Sequence, residues 1–229
     1  DHGARMNAPV IAIDGPSASG KGTIAKRVAQ ALGFHYLESG ALYRLVALAS
    51  LESGVAPDDA AGLARLAETL EARFAGDDIT LGGVKIDRAR LYEERCGERA
   101  SQIAPHPGVR SALLTRQRGF RRAPGLVADG RDMGTVVFPD AELKVFLTAA
   151  ADERARRRYN QLKQKGIHAN LRALSRDLAA RDARDTARAV APLTRATDAR
   201  ELDGSALSVD AVVATVLNWW QEGRRSVTV

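Results

Sequence analysis

The 229-residue chain carries 34 Lys and Arg against 28 Asp and Glu, is 45% hydrophobic and only 5% aromatic. That is enough apolar material for one core with insertions, but no run approaches the roughly 18 consecutive apolar residues of a membrane span, and the aromatics are too sparse for a base-stacking platform. Its one cysteine, Cys96, excludes an intramolecular disulfide and points to the cytosol.

Residues 1–8 read as an extension, in which Asp1 to Arg5 precede a candidate initiator, Met6, and no apolar stretch of signal-peptide type follows. The apolar run Val10-Ile11-Ala12-Ile13 then predicts a buried strand. Gly15-Pro16-Ser17-Ala18-Ser19-Gly20-Lys21-Gly22-Thr23 follows, and Ile24, Val28 and Leu32 recur at helical spacing behind it. Strand, glycine-rich turn and helix make the setting of a phosphate-binding loop, where backbone N–H groups and a helix N-terminus surround an anion. Lys21 is placed to reach the β- and γ-phosphates of a triphosphate, and a hydroxyl just beyond it to sit on Mg²⁺. The common pattern has Ser or Thr directly after the lysine; here Gly22 stands there and Thr23 comes one later.

Gly33 is placed to end this helix, and Phe34 to Leu37 reads as a second strand. Ser39 is expected to cap a helix bearing Leu42, Leu45, Val46 and Ala49 on one face, with Arg44 nearby, which makes a second candidate anion site. Pro57-Asp58-Asp59 starts a further helix striped by Leu63, Leu66 and Leu70. From Arg73 to Asp87, short alternating pieces and glycine turns predict a small antiparallel meander that interrupts the βα alternation as an insertion. Helical patterns resume over Leu91 to Ile103 and Pro107 to Arg122.

Leu126 to Asp129 predicts a third core strand ending in Gly130-Arg131-Asp132-Met133-Gly134, charged residues where open parallel sheets bind ligands. Leu143 to Leu147 is a fourth strand and Arg200 to Asp203 a short fifth. Between them lie basic helical stretches, Asp152 to Lys165 and Leu171 to Arg188, broken at Gly166. Ser208 caps a last amphipathic helix whose Trp219 and Trp220 read as rim and core packing. From Asp152 to Arg200 there are 13 Lys and Arg against 6 Asp and Glu, an excess of seven, so the rest of the chain nets minus one against the overall +6. Such a stretch suits either a polyanionic partner or a solvated helical face.

Arg181, Asp185 and Arg188, spaced by four and three, share one helical face. Two guanidiniums flanking a carboxylate can hold phosphate, base edge or ribose hydroxyls, or form a plain salt-bridged ladder. Arg154, Arg157 and Arg158 form a similar cluster. No Ser/His/Asp set and no Cys/His metal spacing is present, and transfer of a phosphoryl group to another phosphate requires neither. That reaction needs two polyanions positioned and charge neutralised, work for Lys, Arg and Mg²⁺.

The loop from Gly15 to Thr23 resembles the P-loop of nucleoside monophosphate kinases, in which Gly-Lys-Gly-Thr is usual, so the departure at Gly22 is a family trait. Ser39-Gly40-Ala41-Leu42-Tyr43-Arg44, the block from Asp129 to Pro139, and Arg181-Asp182-Ala183-Arg184-Asp185 with Arg188 to Leu193 are similar to bacterial cytidylate (CMP) kinases. The likeness runs from Ala8 to about Trp220. It implies an α/β P-loop kinase: a five-stranded parallel sheet flanked by helices, an inserted monophosphate-binding subdomain and an arginine-rich helical lid. On that reading the core is 9–40, 105–150 and 190–229, the subdomain 41–104, and the lid 151–189.

The resemblance further implies that Gly15, Pro16, Ser17, Ala18, Ser19, Gly20, Lys21, Gly22 and Thr23 hold ATP, with Thr23 on Mg²⁺. Ser39, Arg44 and Arg131 take the CMP phosphate, and Ser101, Arg110, Asp132 and Arg188 read cytosine. Arg181 and Asp185 hold the sugar hydroxyls, while Lys21, Arg131, Arg157 and Arg158 neutralise the transferring group. The expected partners are CMP and dCMP, with no nucleic acid or membrane, for a cytoplasmic monomer. A related kinase with another acceptor would keep the P-loop but tolerate Asp132→Ala and Arg188→Met. A non-catalytic nucleic-acid binder would instead lose affinity steeply with salt and ignore Lys21.

Overall fold

Strand β1 (Val10–Asp14) is buried along its whole length, as is β6 (Leu126–Gly130), the pattern of central parallel strands covered on both faces. The computed structural model describes residues 8–226, so the extension read at 1–8 lies outside them except for Ala8. The described chain forms two compact units, one of residues 8–37 and 119–226 and one of residues 38–118.

In the first unit β1 pairs in parallel with β6, with Ile13 opposite Asp129, and on its other side with β7 (Leu143–Thr148). Strand β7 pairs in parallel with β8 (Arg200–Asp203), and β2 (His35–Glu38) lies beyond β6. The order is β2-β6-β1-β7-β8, the five-stranded parallel sheet expected from the sequence. Helices α1 (Lys21–Leu32) and α9 (Val209–Arg225) pack on it. Ile24, Val28, Val212, Val216 and Trp220 close over Ile11, Ile13, Val145 and Leu147. Trp220 meets Phe34 edge-on at 5.8 Å and Trp219 lies under the Arg200 guanidinium at 4.9 Å, so the pair serves as core and rim. Helices α7 (Ala151–Gln164) and α8 (Leu171–Ala187) pack on each other, with the break at Gly166 as expected.

In the second unit α2 (Ser39–Ser53) is buried on most of its surface and packs against α5 (Glu94–Ile103), while α3 (Ala60–Glu68) packs against α6 (Pro107–Arg118). Strands β3 (Ala72–Ala75), β4 (Asp78–Leu81) and β5 (Val84–Lys85) form the expected antiparallel meander, and α4 (Arg88–Leu91) follows it.

Several local expectations are corrected. Ser39 does not cap α2: Glu38 is the cap residue, and the Ser39 hydroxyl donates to buried Gln117 at 2.7 Å. The helix expected from Pro57 begins at Ala60, because Asp59 caps it by accepting from the Gly62 N–H at 2.9 Å. Helix α6 stops at Arg118 rather than Arg122; Arg121 turns back to donate to Ala8 O and Asp140. Residues 107–118, read with the core, pack with α3 and fall in the 38–118 unit. Arg188 is the cap residue of α8, where ψ of 132° turns the following chain away; it donates to Ala191 O while its Nη1 stays 3.9 Å from Asp185, the neighbour its spacing gave it.

Candidate active site

The loop between β1 and α1 is held open by backbone geometry. Ala18 (φ 59°) and Gly20 (φ 87°) both adopt left-handed conformations, which turn successive N–H groups inward as an anion nest. Gly15 is required by close approach: a Cβ there would stand 2.2 Å from the Leu147 carbonyl oxygen. The Ser19 hydroxyl is buried with no hydrogen-bond partner among the described residues, a polar atom that a phosphate oxygen would satisfy. Lys21 folds back over the loop, its Nζ 3.3 Å from Pro16 O. Burial, then the nearby Arg131, pushes its ammonium down to about 7, against the opposing pull of Asp129 and Asp185.

Arg131, at the exit of β6, joins this loop to α8. Its Nε donates to Asp185 Oδ2 at 2.6 Å and its Nη2 to Ser17 Oγ at 2.8 Å. Burial opposes the charge of each partner, and their mutual attraction outweighs it. Asp185 is held below the usual carboxylate range by Arg131, Arg188 and Arg181, and Arg131 is kept firmly cationic by Asp185, Asp129 and Asp182. Arg188 approaches Asp185 at 3.9 Å. Asp132 is buried beside Arg131 at the head of a single π-helical turn, Met133–Val137.

The arginines of α7 divide. Arg154 is buried and structural: it donates to Ser17 O at 3.1 Å and Ala149 O at 3.0 Å and pairs with both oxygens of Asp182. Arg157 is turned toward Glu153 at 3.2 Å and Gly204 O at 2.7 Å. Arg158 is half-buried on α7. Thus Lys21, the loop, Arg131 and Asp185 form one network, while the Arg157 guanidinium is engaged at Gly204.

In the 38–118 unit, Arg44 passes over α5 where Gly97 leaves room, since a Cβ there would lie 2.8 Å from its Nη2. Its guanidinium donates to Leu91 O at 3.1 Å and stacks 5.2 Å from the Tyr92 ring. Tyr92 donates to Glu38 at 2.6 Å; burial and that carboxylate push its phenol well above the ordinary range. Ser101 is buried one helical turn beyond Gly97, on the same face of α5. Arg110 lies over the Tyr43 ring at 5.7 Å, next in sequence to Arg44. Ser39, Arg44, Ser101 and Arg110 are therefore all carried by helices α2, α5 and α6 of this unit.

Among the described residues no three His, Cys, Asp or Glu side chains cluster to hold a metal. Mg²⁺ arriving on a triphosphate needs only one or two protein oxygens, the rest coming from phosphates and water. The exposed Thr23 hydroxyl on the first turn of α1 and the Asp129 carboxylate ending β6 fit that smaller demand.

Sequence reading passed over Asp14, although an acid closing the apolar run before Gly15 was a signal. Its carboxylate accepts from the Met133 and Gly134 N–H groups at 2.9 and 2.8 Å, anchoring the segment after Arg131 and Asp132. Burial pushes it up to about 6, more than those bonds lower it. A raised carboxylate binds more protons folded than unfolded between pH 4 and 6. As pH rises through that window, unfolding free energy should therefore fall by about 2 kcal/mol relative to Asp14→Asn, as urea titrations at each pH would measure. Equal slopes in the two proteins would refute the shift.

The profile of the family described as cytidylate kinase matches residues 11–222. The chain belongs to the cytidylate kinase family. It is 57% identical to the cytidylate kinase of Ralstonia pickettii (strain 12J), over 97% of this chain and 96% of that one. It is 59% identical to that of Burkholderia ambifaria (strain MC40-6), over 93% of each. Among solved structures it is similar to a gluconokinase from Sinorhizobium meliloti 1021, at 14% identity and a TM-score of 0.48, covering 96% of this chain and 95% of that one. No described helix is long and apolar enough to cross a membrane.

Proposed function

We propose that this member of the family transfers the γ-phosphoryl group of MgATP to CMP and dCMP, giving ADP with CDP or dCDP. The observation that carries the reading is Arg131, bonded at once to Ser17 of the phosphate loop and to Asp185. One guanidinium between a donor-phosphate cradle and an acceptor-side carboxylate suits a reaction that joins two polyanions.

A phosphate oxygen of the monophosphate attacks the γ-phosphorus in line as the bond to the β–γ bridging oxygen breaks, and ADP leaves with that oxygen. The acceptor is already largely dianionic near neutral pH, so no general base is needed. The loop N–H groups and Lys21 hold the triphosphate, and Lys21 and Arg131 neutralise charge on the moving group, aided by Arg157 and Arg158 of the lid. Thr23 would hold the Mg²⁺ of the nucleotide, which would supply further charge neutralisation. Ser39, Arg44 and Arg131 receive the monophosphate, Arg181 and Asp185 the sugar, and Ser101, Arg110, Asp132 and Arg188 the cytosine. A carboxylate, arginines and a hydroxyl complement an amino donor beside two acceptors. Residues 41–104 act as the monophosphate subdomain and 151–189 as the lid, in a cytoplasmic monomer with no nucleic-acid or membrane partner. The scarcity of cysteine, with Cys96 alone and buried, supports that compartment.

The deciding experiment is ADP release from MgATP offered CMP, dCMP, UMP, AMP and dephospho-coenzyme A separately. Rapid turnover with the two cytidylates alone is expected; turnover with another acceptor would overturn the cytosine assignment. Lys21 gives a second readout. With its ammonium near 7 in the free protein, binding of a triphosphate restores the proton. Uptake measured calorimetrically in buffers of different ionisation heat should rise from near zero at pH 6 toward one at pH 8. It should vanish in Lys21→Met.

A further inference from the structure

Pro16 to Ser19 form a β-turn inside the phosphate loop. The Ser19 N–H donates to Pro16 O at 3.4 Å, and Ala18, third residue of the turn, stands at φ 59° while Ser17 is not left-handed. That is the type II form, whose third position is usually glycine because a Cβ disfavours positive φ. An alanine there by itself favours the type I form, which differs by a flip of the central peptide, the one joining Ser17 to Ala18. In a trans peptide the carbonyl and the N–H point in opposite directions, so that flip would also reverse the Ala18 N–H. The choice between the two forms therefore falls to a contact outside the turn. Arg154 makes it. From α7 its Nη1 donates to Ser17 O at 3.1 Å, and the guanidinium is fixed in turn by Ala149 O at 3.0 Å and by both oxygens of Asp182 on α8, at 2.6 and 3.2 Å. Arg131 holds the same serine by its side chain, Nη2 to Oγ at 2.8 Å, and the carbonyl falls to Arg154.

We propose that Arg154 is a positioning residue for nucleotide binding: its hold on the Ser17 carbonyl keeps the Ser17–Ala18 peptide in the type II orientation, with the Ala18 N–H turned into the phosphate nest, and Asp182 holds Arg154 in place. It acts through the backbone and not on the phosphate. The proposal rests on the kinase reading above in taking ADP as the ligand of the loop. A hydrogen bond to a charged group is commonly worth about 10–100-fold in affinity, which sets the effect of losing the Ala18 N–H. Charge alone predicts the opposite sign at Asp182. Its carboxylate acts on the neighbouring Arg131, so neutralising it should tighten an anion, whereas loosening Arg154 should weaken one.

The test is calorimetric titration of ADP into the wild type, Arg154→Lys and Asp182→Asn, with each variant made again in combination with Ala18→Gly. Lysine keeps the charge but lacks the fork that reaches Ser17 O, Ala149 O and Asp182 together. In the native loop ADP should bind about 10–100-fold more weakly to Arg154→Lys and several-fold more weakly to Asp182→Asn. Ala18→Gly removes the Cβ and its penalty at positive φ, so in combination with it both losses should shrink to a small part of these values. The same loss with and without Ala18→Gly would overturn the proposal, as damage unconnected with the turn. So would unchanged ADP affinity in Arg154→Lys, or tighter binding in Asp182→Asn. Should Arg154→Lys fail to fold, the partly exposed Asp182→Asn carries the same comparison. A wild type that binds no ADP would overturn the kinase reading and the proposal with it.

Discussion

Lys21→Ala is expected to lower kcat by about 10²–10³-fold or more, the loss typical of removing one preorganised charge partner from a transition state. The effect should fall on turnover and leave the fold untouched. In the free protein Lys21 makes a single weak contact, 3.3 Å to Pro16 O, and its charge is opposed by burial and by Arg131. Removing it therefore relieves repulsion, and the urea midpoint at pH 7 should stay level or rise, as often happens when a functional residue is deleted. Steady-state kinetics with CMP as acceptor, alongside a urea titration, would measure both. Near-normal kcat in a folded variant would sink the assignment of the loop.

Asp185→Ala should produce the second large loss, on the acceptor side. Asp185 is 2% exposed and accepts from Arg131 at 2.6 Å, with Arg188 at 3.9 Å. Its removal leaves Arg131 without its closest counter-charge and, on the proposed reading, strips the sugar of a carboxylate. The kcat/KM for CMP is expected to drop about 10²–10³-fold through the first effect, while KM for ATP changes little. Breaking a buried pair on one side also costs about 3 kcal/mol, so unfolding should be followed in parallel and kinetics taken well below the new midpoint. Asp185→Asn, which keeps the shape, should recover part of the stability but little of the CMP use. Equal losses toward CMP and ATP would contradict the acceptor role.

The two variants probe opposite ends of the Ser17–Arg131–Asp185 connection. Because these residues share one hydrogen-bonded network, their effects should not add. The double variant Lys21→Ala/Asp185→Ala is thus expected to fall short of the product of the single losses.

What the chain fixes locally was legible from its residues. The runs at Val10, Leu126 and Leu143 became buried parallel strands because an apolar stretch without alternation has to be covered on both faces. Gly33 ended α1 in a left-handed conformation and Ser208 capped α9, since these are backbone requirements met by the residue itself. The phosphate loop and the block around Arg131 were likewise readable, because spacing along a short segment dictates where their groups stand. Partnerships across the sheet were not. The Ser39 hydroxyl went to Gln117 rather than to its own helix end, and Asp14 went to the N–H groups of Met133 and Gly134. Tyr36 reached Asp129 because β2 lies beside β6, an order no local pattern specifies. Propensity and periodicity act over a few residues, whereas buried polar groups must find partners wherever tertiary packing puts them. The chemistry of the loop was therefore set by sequence, and the wiring that orients it by the fold.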